Sequence, residues 1–291
     1  MVPLRRRLRL KPSAYIEMMR PLNCVMMAVA VYVAAVVGSS GLPSFDPRVW
    51  YALATAFLLA GFAMVVNDIS DVEVDRVNEP HRPLPSGRAT VSGSKAFATL
   101  LAVLGVALSF GDGLLEAALA VLSVVLSVAY SRRLKKSGLP GNLAVSYNVA
   151  LPFLYGGIVT GGLKPVLAVF FALAFLSNTG REIVKGIAEA KGDALSGAKT
   201  LALVHGPKVA SRTAATFSLL AVAFSPLPLL FKDMSALGYG LPVALADIGF
   251  LYLVTELLAR PENTETAKKV RRLYKVPMFV AIVSFLAGAL L

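Results

Sequence analysis

Cysteine and histidine are nearly missing from this chain: one Cys, Cys24, and two His, His81 and His205, in 291 residues. A single thiol excludes an intrachain disulfide framework, and two histidines cannot assemble a His-based metal centre. In an apolar stretch, a lone cysteine such as Cys24 packs as a small hydrophobe. Charge is scarce as well: Asp, Glu, Lys and Arg make up 16% of the chain, where ordinary soluble domains carry roughly a quarter. There is one tryptophan and no aromatic-rich polar surface on which bases could stack, so the net charge of +12 does not imply nucleic acid as a partner. No Pro/Gly/Ser-rich linker and no low-complexity segment divides the chain, which argues for one domain over residues 1–291.

What the chain has in abundance is apolar: 56% of residues, with a mean hydropathy of +0.69. Mainly apolar stretches near 15–38, 49–67, 94–111, 113–131, 141–160, 163–184, 208–231, 235–258 and 273–291 predict an all-α polytopic membrane bundle of about nine transmembrane helices. The first stretch does not read as a cleavable signal peptide, since Arg20 and Pro21 sit near its start, further spans follow and no small-residue cleavage site precedes a soluble domain. Basic residues segregate by side. Only Arg48, Lys164 and Lys232 fall in the connections after spans one, five and seven, while the N-terminus (Arg5, Arg6, Arg7, Arg9, Lys11) and the even-numbered connections hold the rest. The positive-inside rule therefore predicts a multi-pass protein of the cell membrane with its N-terminus in the cytoplasm and its C-terminus outside. Residues 1–12 read as that topology signal, or as a short surface element along an anionic leaflet.

Against this background, two acidic runs stand at span ends: Asn67-Asp68 through Asp71, Glu73 and Asp75 after span two, and Glu182 through Glu189 and Asp193 after span six. Carboxylates at membrane depth are costly and mark a site. Asn67, Asp71 and Asp75 are four residues apart, so on a helix they share one stripe, with Asp68 beside them. Like charges at that spacing repel unless a cation neutralises them, and Mg²⁺ held through a few carboxylates, waters and phosphate oxygens does so. Glu182, Glu189 and Asp193 also share one helical face, with Lys185 between them; alone, that run reads equally as a self-satisfied ion-pair ladder. Together the two runs suit Mg²⁺ bridging a diphosphate, with a cytoplasmic opening. Both are followed by polar segments, 68–93 and 186–207, read as cytoplasmic cap loops over one pocket; Pro80, Pro83 and Pro85 make 76–93 a poor helix. Span four ends in Tyr130-Ser-Arg132-Arg133-Leu-Lys135-Lys136, which reads either as a topology signal alone or as a source of Lys135, and with it Arg132, for phosphate oxygens, with Tyr130 to face a developing allylic cation.

The segments RPLNC at 20–24, NDISDVEVDRVNEPHRPLPSG at 67–87, YSRRLKKSGLPGN at 130–142 and REIVKGIAEAKGD at 181–193 resemble, in order, the motifs of the UbiA superfamily of intramembrane prenyltransferases. The resemblance implies a nine-helix bundle around a central cavity, with two Asp-rich motifs binding Mg²⁺ and a prenyl diphosphate. By matching positions, Asn67, Asp68, Asp71 and Asp75 look like the first motif, Glu189 and Asp193 like the second, and Glu182 like an acidic position upstream of it. Two positions depart from the pattern: Glu189 stands where Asp is usual, and His81 where Asn usually precedes Arg-Pro. RPLNC with GREIVKGI and a following GD looks most like the archaeal branch that joins geranylgeranyl diphosphate to geranylgeranylglyceryl phosphate in ether-lipid synthesis.

The mechanism expected on that resemblance has Mg²⁺ held by Asn67, Asp71, Asp75, Glu189 and Asp193, with Lys135 and Lys185 adding positive charge as the allylic C–O bond breaks. The apolar interior holds the prenyl tail and excludes water, which would otherwise capture the carbocation. Arg20 and Arg181 are candidates for gripping an acceptor phosphate, and Asn23 or a nearby carboxylate for orienting the attacking hydroxyl. An aromatic acceptor such as 4-hydroxybenzoate, its carboxylate paired with Arg20, is the alternative. A cation or phosphate transporter would also place carboxylates in spans, but usually on helices broken at mid-depth, whereas these runs lie at span ends. Gly156-Gly157 and Gly161-Gly162 allow close helix contact, within one chain or between copies.

Overall fold

A computed structural model describes residues 12–43 and 46–291, which form helices and turns with no strand among them. The basic cluster of residues 1–11 lies outside the described residues. In chain order the helices are α1 Pro12–Met19, α2 Pro21–Gly38, α3 Pro47–Ser70, α4 Val72–Asn78, α5 Val91–Ser109, α6 Leu114–Arg132, α7 Leu139–Ala150, α8 Pro152–Val159, α9 Pro165–Ala188, α10 Ala190–Leu195, α11 Leu201–His205, α12 Pro207–Phe224, α13 Ala236–Ala259, α14 Thr264–Leu273 and α15 Lys275–Leu290. Among the described residues, nine segments are long and apolar enough to cross a membrane, as the sequence predicts. Three of these are composite: α7 with α8, α12 with the turn after it, and α14 with α15. The ninth span thus begins at Thr264 rather than near 273. Charges at Lys268, Lys269, Arg271 and Arg272 end the apolar stretch early in sequence, yet Ala267, Val270 and Tyr274 keep a helical spacing and are buried.

Helix starts follow local chemistry. α2, α3, α8, α9 and α12 open on proline, whose missing N–H costs nothing at a first turn. Elsewhere side chains cap the free amides: Thr90 accepts from the Gly93 amide at 3.0 Å and Asn263 from the Thr266 amide at 2.9 Å.

α2 packs on α3, α8 and α15; α3 on α5 and α6; α7 on α6 and α9; and α14 and α15 on α9. These contacts close α2, α3, α6, α7/α8, α9 and α14/α15 into a ring around a cavity, while α5, α12 and α13 pack outside it. Close approach of α2 and α8 depends on glycine. A Cβ on Gly156 would meet the Val31 carbonyl oxygen, and one on Gly162 the backbone of Gly38, so both glycines serve contacts within the chain. Gly161, at φ +69°, makes the turn between these positions. Beside this seam Phe170 and Phe285 stack with centroids 4.0 Å apart, and Phe153 meets Phe285 edge-on at 5.5 Å. All three rings are buried. Phe285→Ala should cost about 3 kcal/mol through the cavity left behind, read as a lowered Tm in detergent; an unchanged Tm would remove this stack from the stabilising core.

α3 and α9 are each 24 residues long, and each stops one residue before an acidic junction, Asp71 and Glu189. The two junction residues have nearly the same backbone, φ −99°, ψ 4° and φ −104°, ψ 7°. Both lie in the sparsely populated bridge region where active-site residues are often found. The i to i−4 hydrogen bonds nonetheless run on through each junction, Asp71 to Asn67 at 3.0 Å and Asp75 to Asp71 at 2.7 Å, Glu189 to Lys185 at 2.9 Å and Asp193 to Glu189 at 3.1 Å. The predicted stripes therefore survive, although neither lies on one unbroken helix. The same continuity corrects the cap-loop limits. Residues 68–78 and 186–188 belong largely to helices, α10 and α11 occupy part of 190–205, and true turns fill 80–89.

Candidate active site

Twelve residues separate Asn67 from Thr55 on α3, so a cavity lined by both runs about 18 Å into the bundle. Its volume is about 440 Å³. The deep part is walled by apolar side chains such as Met26, Val31, Leu59 and Leu119, and by Tyr155. The Tyr155 hydroxyl donates to Asp112 Oδ2 at 2.9 Å, tying α8 to the turn between α5 and α6 at the far end. Burial pushes the Asp112 carboxyl up to about 6. A polar cluster interrupts the wall: Asn148 on α7 accepts from Ser123 and donates to Ser127 of α6, both at 2.8 Å.

At the mouth the side chains are charged, and their partners come from many elements. Arg20 lies between α1 and α2 in the left-handed region, at φ 53°, although it is not glycine and precedes a proline. That strained backbone is a mark of functional sites. Its guanidinium reaches Asp68 of α3 at 2.6 Å. Arg82, from the turn after α4, holds both oxygens of Asp75, at 2.7 and 2.8 Å, and lies 3.7 Å from Asp68. Lys135 is ion-paired with Asp71, which also accepts from Asn67 Nδ2 at 2.8 Å. In the second acidic run Glu182 takes Arg181 at 2.7 Å and Lys185 at 3.3 Å. Arg271 of α14 pairs with Glu189 and reaches Glu79 at 3.0 Å, bridging the two acidic regions. The Asn78 amide, donating to the Glu189 carbonyl at 3.2 Å, binds them further.

Crowding and burial show in the titration of these groups. Burial holds Asp75 above the ordinary carboxylate range, with Arg82 opposing it. It pushes Asp193 up to about 6, helped by Glu189, and draws Lys135 down to about 8.

Both acidic runs thus stand at one mouth, but their oxygens do not converge. Among the described residues no three acidic side chains gather closely enough to hold one ion, because most are turned toward a cation of the chain itself. A five-oxygen ligand set from Asn67, Asp71, Asp75, Glu189 and Asp193 is not formed in this arrangement. The donor chemistry still fits Mg²⁺: every candidate ligand is an oxygen. Asn67 Oδ1 is moreover buried without any hydrogen-bond partner, a cost that a bound cation would remove.

A model of the UbiA prenyltransferase family matches residues 26–283. The chain belongs to the UbiA prenyltransferase family. Membership makes it a prenyltransferase and accounts for the ring of spans with two acidic junctions at one mouth. The chain is 36% identical over 287 residues to the digeranylgeranylglyceryl phosphate synthase of Methanosarcina mazei, across 94% of this chain and 97% of that one. A solved structure described as a digeranylgeranylglyceryl phosphate synthase in membranes is 32% identical, with a TM-score of 0.74 over 95% of this chain and 98% of the other. The fold is also shared with a UbiA homologue from Archaeoglobus fulgidus solved with dimethylallyl diphosphate (DMAPP) and Mg²⁺, at 16% identity and a TM-score of 0.67 over 92% of this chain and 98% of that one.

Of the residues predicted for the site, Arg20, Asn23, Asn67, Tyr130, Arg181, Glu182, Lys185 and Glu189 line the cavity. Asp68, Asp71, Asp75 and Lys135 sit behind that lining, held there by the pairs just described, and Asp193 stands beside Glu189 outside it. Arg132 does not belong with them, being exposed on the last turn of α6 and away from the cavity. Sequence reasoning missed Arg82, Arg271, Arg272 and Lys275, all in the lining. A signal existed for the last three, since cations at the head of an apolar span are candidates for facing a charged ligand.

Proposed function

We propose that this enzyme transfers the geranylgeranyl group of geranylgeranyl diphosphate to geranylgeranylglyceryl phosphate, releasing diphosphate, in a Mg²⁺-dependent reaction. The observation that carries the reading is one cavity, about 18 Å long, with two halves of opposite character: a mainly apolar interior beneath a charged mouth at which both acidic runs stand. Full-length relatives at about 36% identity, described as digeranylgeranylglyceryl phosphate synthases, support the choice of substrates. The whole chain acts as one domain, opening toward the cytoplasm where its basic connections lie.

Asn67, Asp71, Asp75, Glu189 and Asp193 would hold Mg²⁺, which supplies charge neutralisation of the leaving diphosphate. Lys135 and Arg271, displaced from Asp71 and Glu189, become free to meet phosphate oxygens, and Lys185 joins them from α9. The cations that quiet the acids at rest thus change partners when the ligand arrives. The prenyl tail lies along Met26, Val31, Leu59 and Leu119 toward Tyr155, and the same walls keep water from the allylic carbon. Tyr130, half-buried in the wall above, presents its ring to that carbon. The acceptor hydroxyl, oriented by Asn23, attacks C1 as the C–O bond to diphosphate breaks, its proton passing to the departing diphosphate.

Purified protein incubated with labelled geranylgeranyl diphosphate and geranylgeranylglyceryl phosphate should form the doubly prenylated product. EDTA should abolish turnover by at least about 100-fold, and Mg²⁺ should restore it. Product formed with 4-hydroxybenzoate but not with the glycerol phosphate would overturn the acceptor assignment. Turnover untouched by EDTA would overturn the metal assignment.

A further inference from the structure

Among the described residues seven cations line the cavity: Arg20, Arg82, Arg181, Lys185, Arg271, Arg272 and Lys275. Five are committed to carboxylates, Arg20 to Asp68, Arg82 to Asp75, Arg181 and Lys185 to Glu182, and Arg271 to Glu189 and Glu79. Lys275 and Arg272 have no acidic partner within 4.0 Å among the described residues. Lys275 is half-buried at the head of α15, and its ammonium donates only to a neutral amide oxygen, Asn23 Oδ1, at 3.1 Å. A half-buried ammonium that donates to one neutral acceptor keeps two donors for a ligand. Arg272, three residues earlier and so on a neighbouring helical face, stands exposed at the rim above it.

Position separates this pair from the donor's site. Arg271 of α14 faces the acidic regions, whereas Lys275, one turn deeper, faces the head of the neighbouring helix α2. The donor diphosphate has acidic junctions and their displaceable cations on the α3 and α9 side. A second anion on the α2 and α15 side would find Lys275 with its charge uncompensated.

We propose that Lys275, with Arg272 at the rim, is the seat for the acceptor's phosphomonoester and sets the preference for a phosphorylated over an uncharged or dephosphorylated acceptor. The inference rests on the proposed reaction. It gives Arg20 and Arg181, already held by Asp68 and Glu182, a supporting part and makes Lys275 the deciding contact. Asn23, sharing its amide with Lys275, couples the seated phosphate to the hydroxyl that attacks.

The test measures KM for each substrate separately in wild type, Lys275→Met and Lys275→Arg. Loss of one charge-assisted contact should raise KM for the phosphorylated acceptor roughly 10- to 100-fold in Lys275→Met. KM for geranylgeranyl diphosphate should change less than about twofold, and Lys275→Arg should recover most of the acceptor affinity. Preference for the phosphorylated acceptor over geranylgeranylglycerol should fall in the same proportion. Equal rises in both KM values would overturn the proposal by placing Lys275 at the diphosphate, and an unchanged acceptor KM would overturn it outright. A binding measurement separates its failure from failure of the proposed reaction. Glycerol 1-phosphate should raise the Tm of the wild-type protein but not that of Lys275→Met, whichever acceptor is turned over. Lys275→Gln, closer in shape to lysine, guards against a folding defect in the methionine variant and should behave as Lys275→Met does.

Discussion

Asp71→Ala should lower kcat by at least about 100-fold while the protein still folds. Asp71 stands at the junction of α3 and α4, accepts from Asn67 and holds Lys135 at rest. Its removal takes away one proposed oxygen ligand and leaves Lys135 without its acidic partner. Lys135 is half-buried at the mouth rather than in the packed core, so loss of its partner opens no apolar cavity. The stability loss should therefore stay small, and a circular-dichroism melt in detergent checks it. Asp71→Asn keeps the shape and the contact to Asn67 but loses the charge, and should be nearly as inactive. Activity near wild type in either variant would remove Asp71 from the mechanism.

The second large effect is structural and lies away from the mouth. Gly156→Val should destabilise the bundle by about 3 kcal/mol, because the added Cβ would collide with the Val31 carbonyl oxygen and with Ala34 on α2. Backbone cannot move aside as a flexible side chain can. Separating α2 from α8 would also shift Arg20 and Asn23, carried by the head of α2, and Tyr155, the neighbour of Gly156 at the cavity's deep end. Activity should therefore fall with stability, and Gly156→Ala should show both effects in milder form. A Tm equal to wild type for Gly156→Val would show that α2 and α8 are not held at backbone contact.

Much of the fold is legible because lipid leaves few options: each crossing must satisfy its own backbone hydrogen bonds, so long apolar stretches become helices. Where the reading slipped, charge hid a helix. α14 is so rich in Lys and Arg that an apolar search stops short of it, although Ala267 and Val270 mark a buried face. The acidic stripes were legible from spacing alone, and hydrogen bonding through the Asp71 and Glu189 junctions preserves them. Their state was not. Like charges four residues apart need a cation, but nothing in local sequence says whether it comes from Mg²⁺ or from Lys135, Arg82 and Arg271. Arg132 misled for the same reason: adjacent cations on a helix end point in different directions, and only packing selects the one that turns inward.

By itself, then, the sequence determined the class of solvent, the number of crossings and the common side of the two acidic runs. An even number of spans lies between the runs, so both must emerge at the same face of the membrane. Which charges meet there was decided only by tertiary structure. Closing the ring brings the last span against the first, and Lys275 reaches Asn23 across 252 residues of chain. No local pattern encodes such a pairing, because it arises from the packing of α15 on α2 and α9, and that packing sets the Lys275 ammonium beside a neutral amide instead of an acid among the described residues.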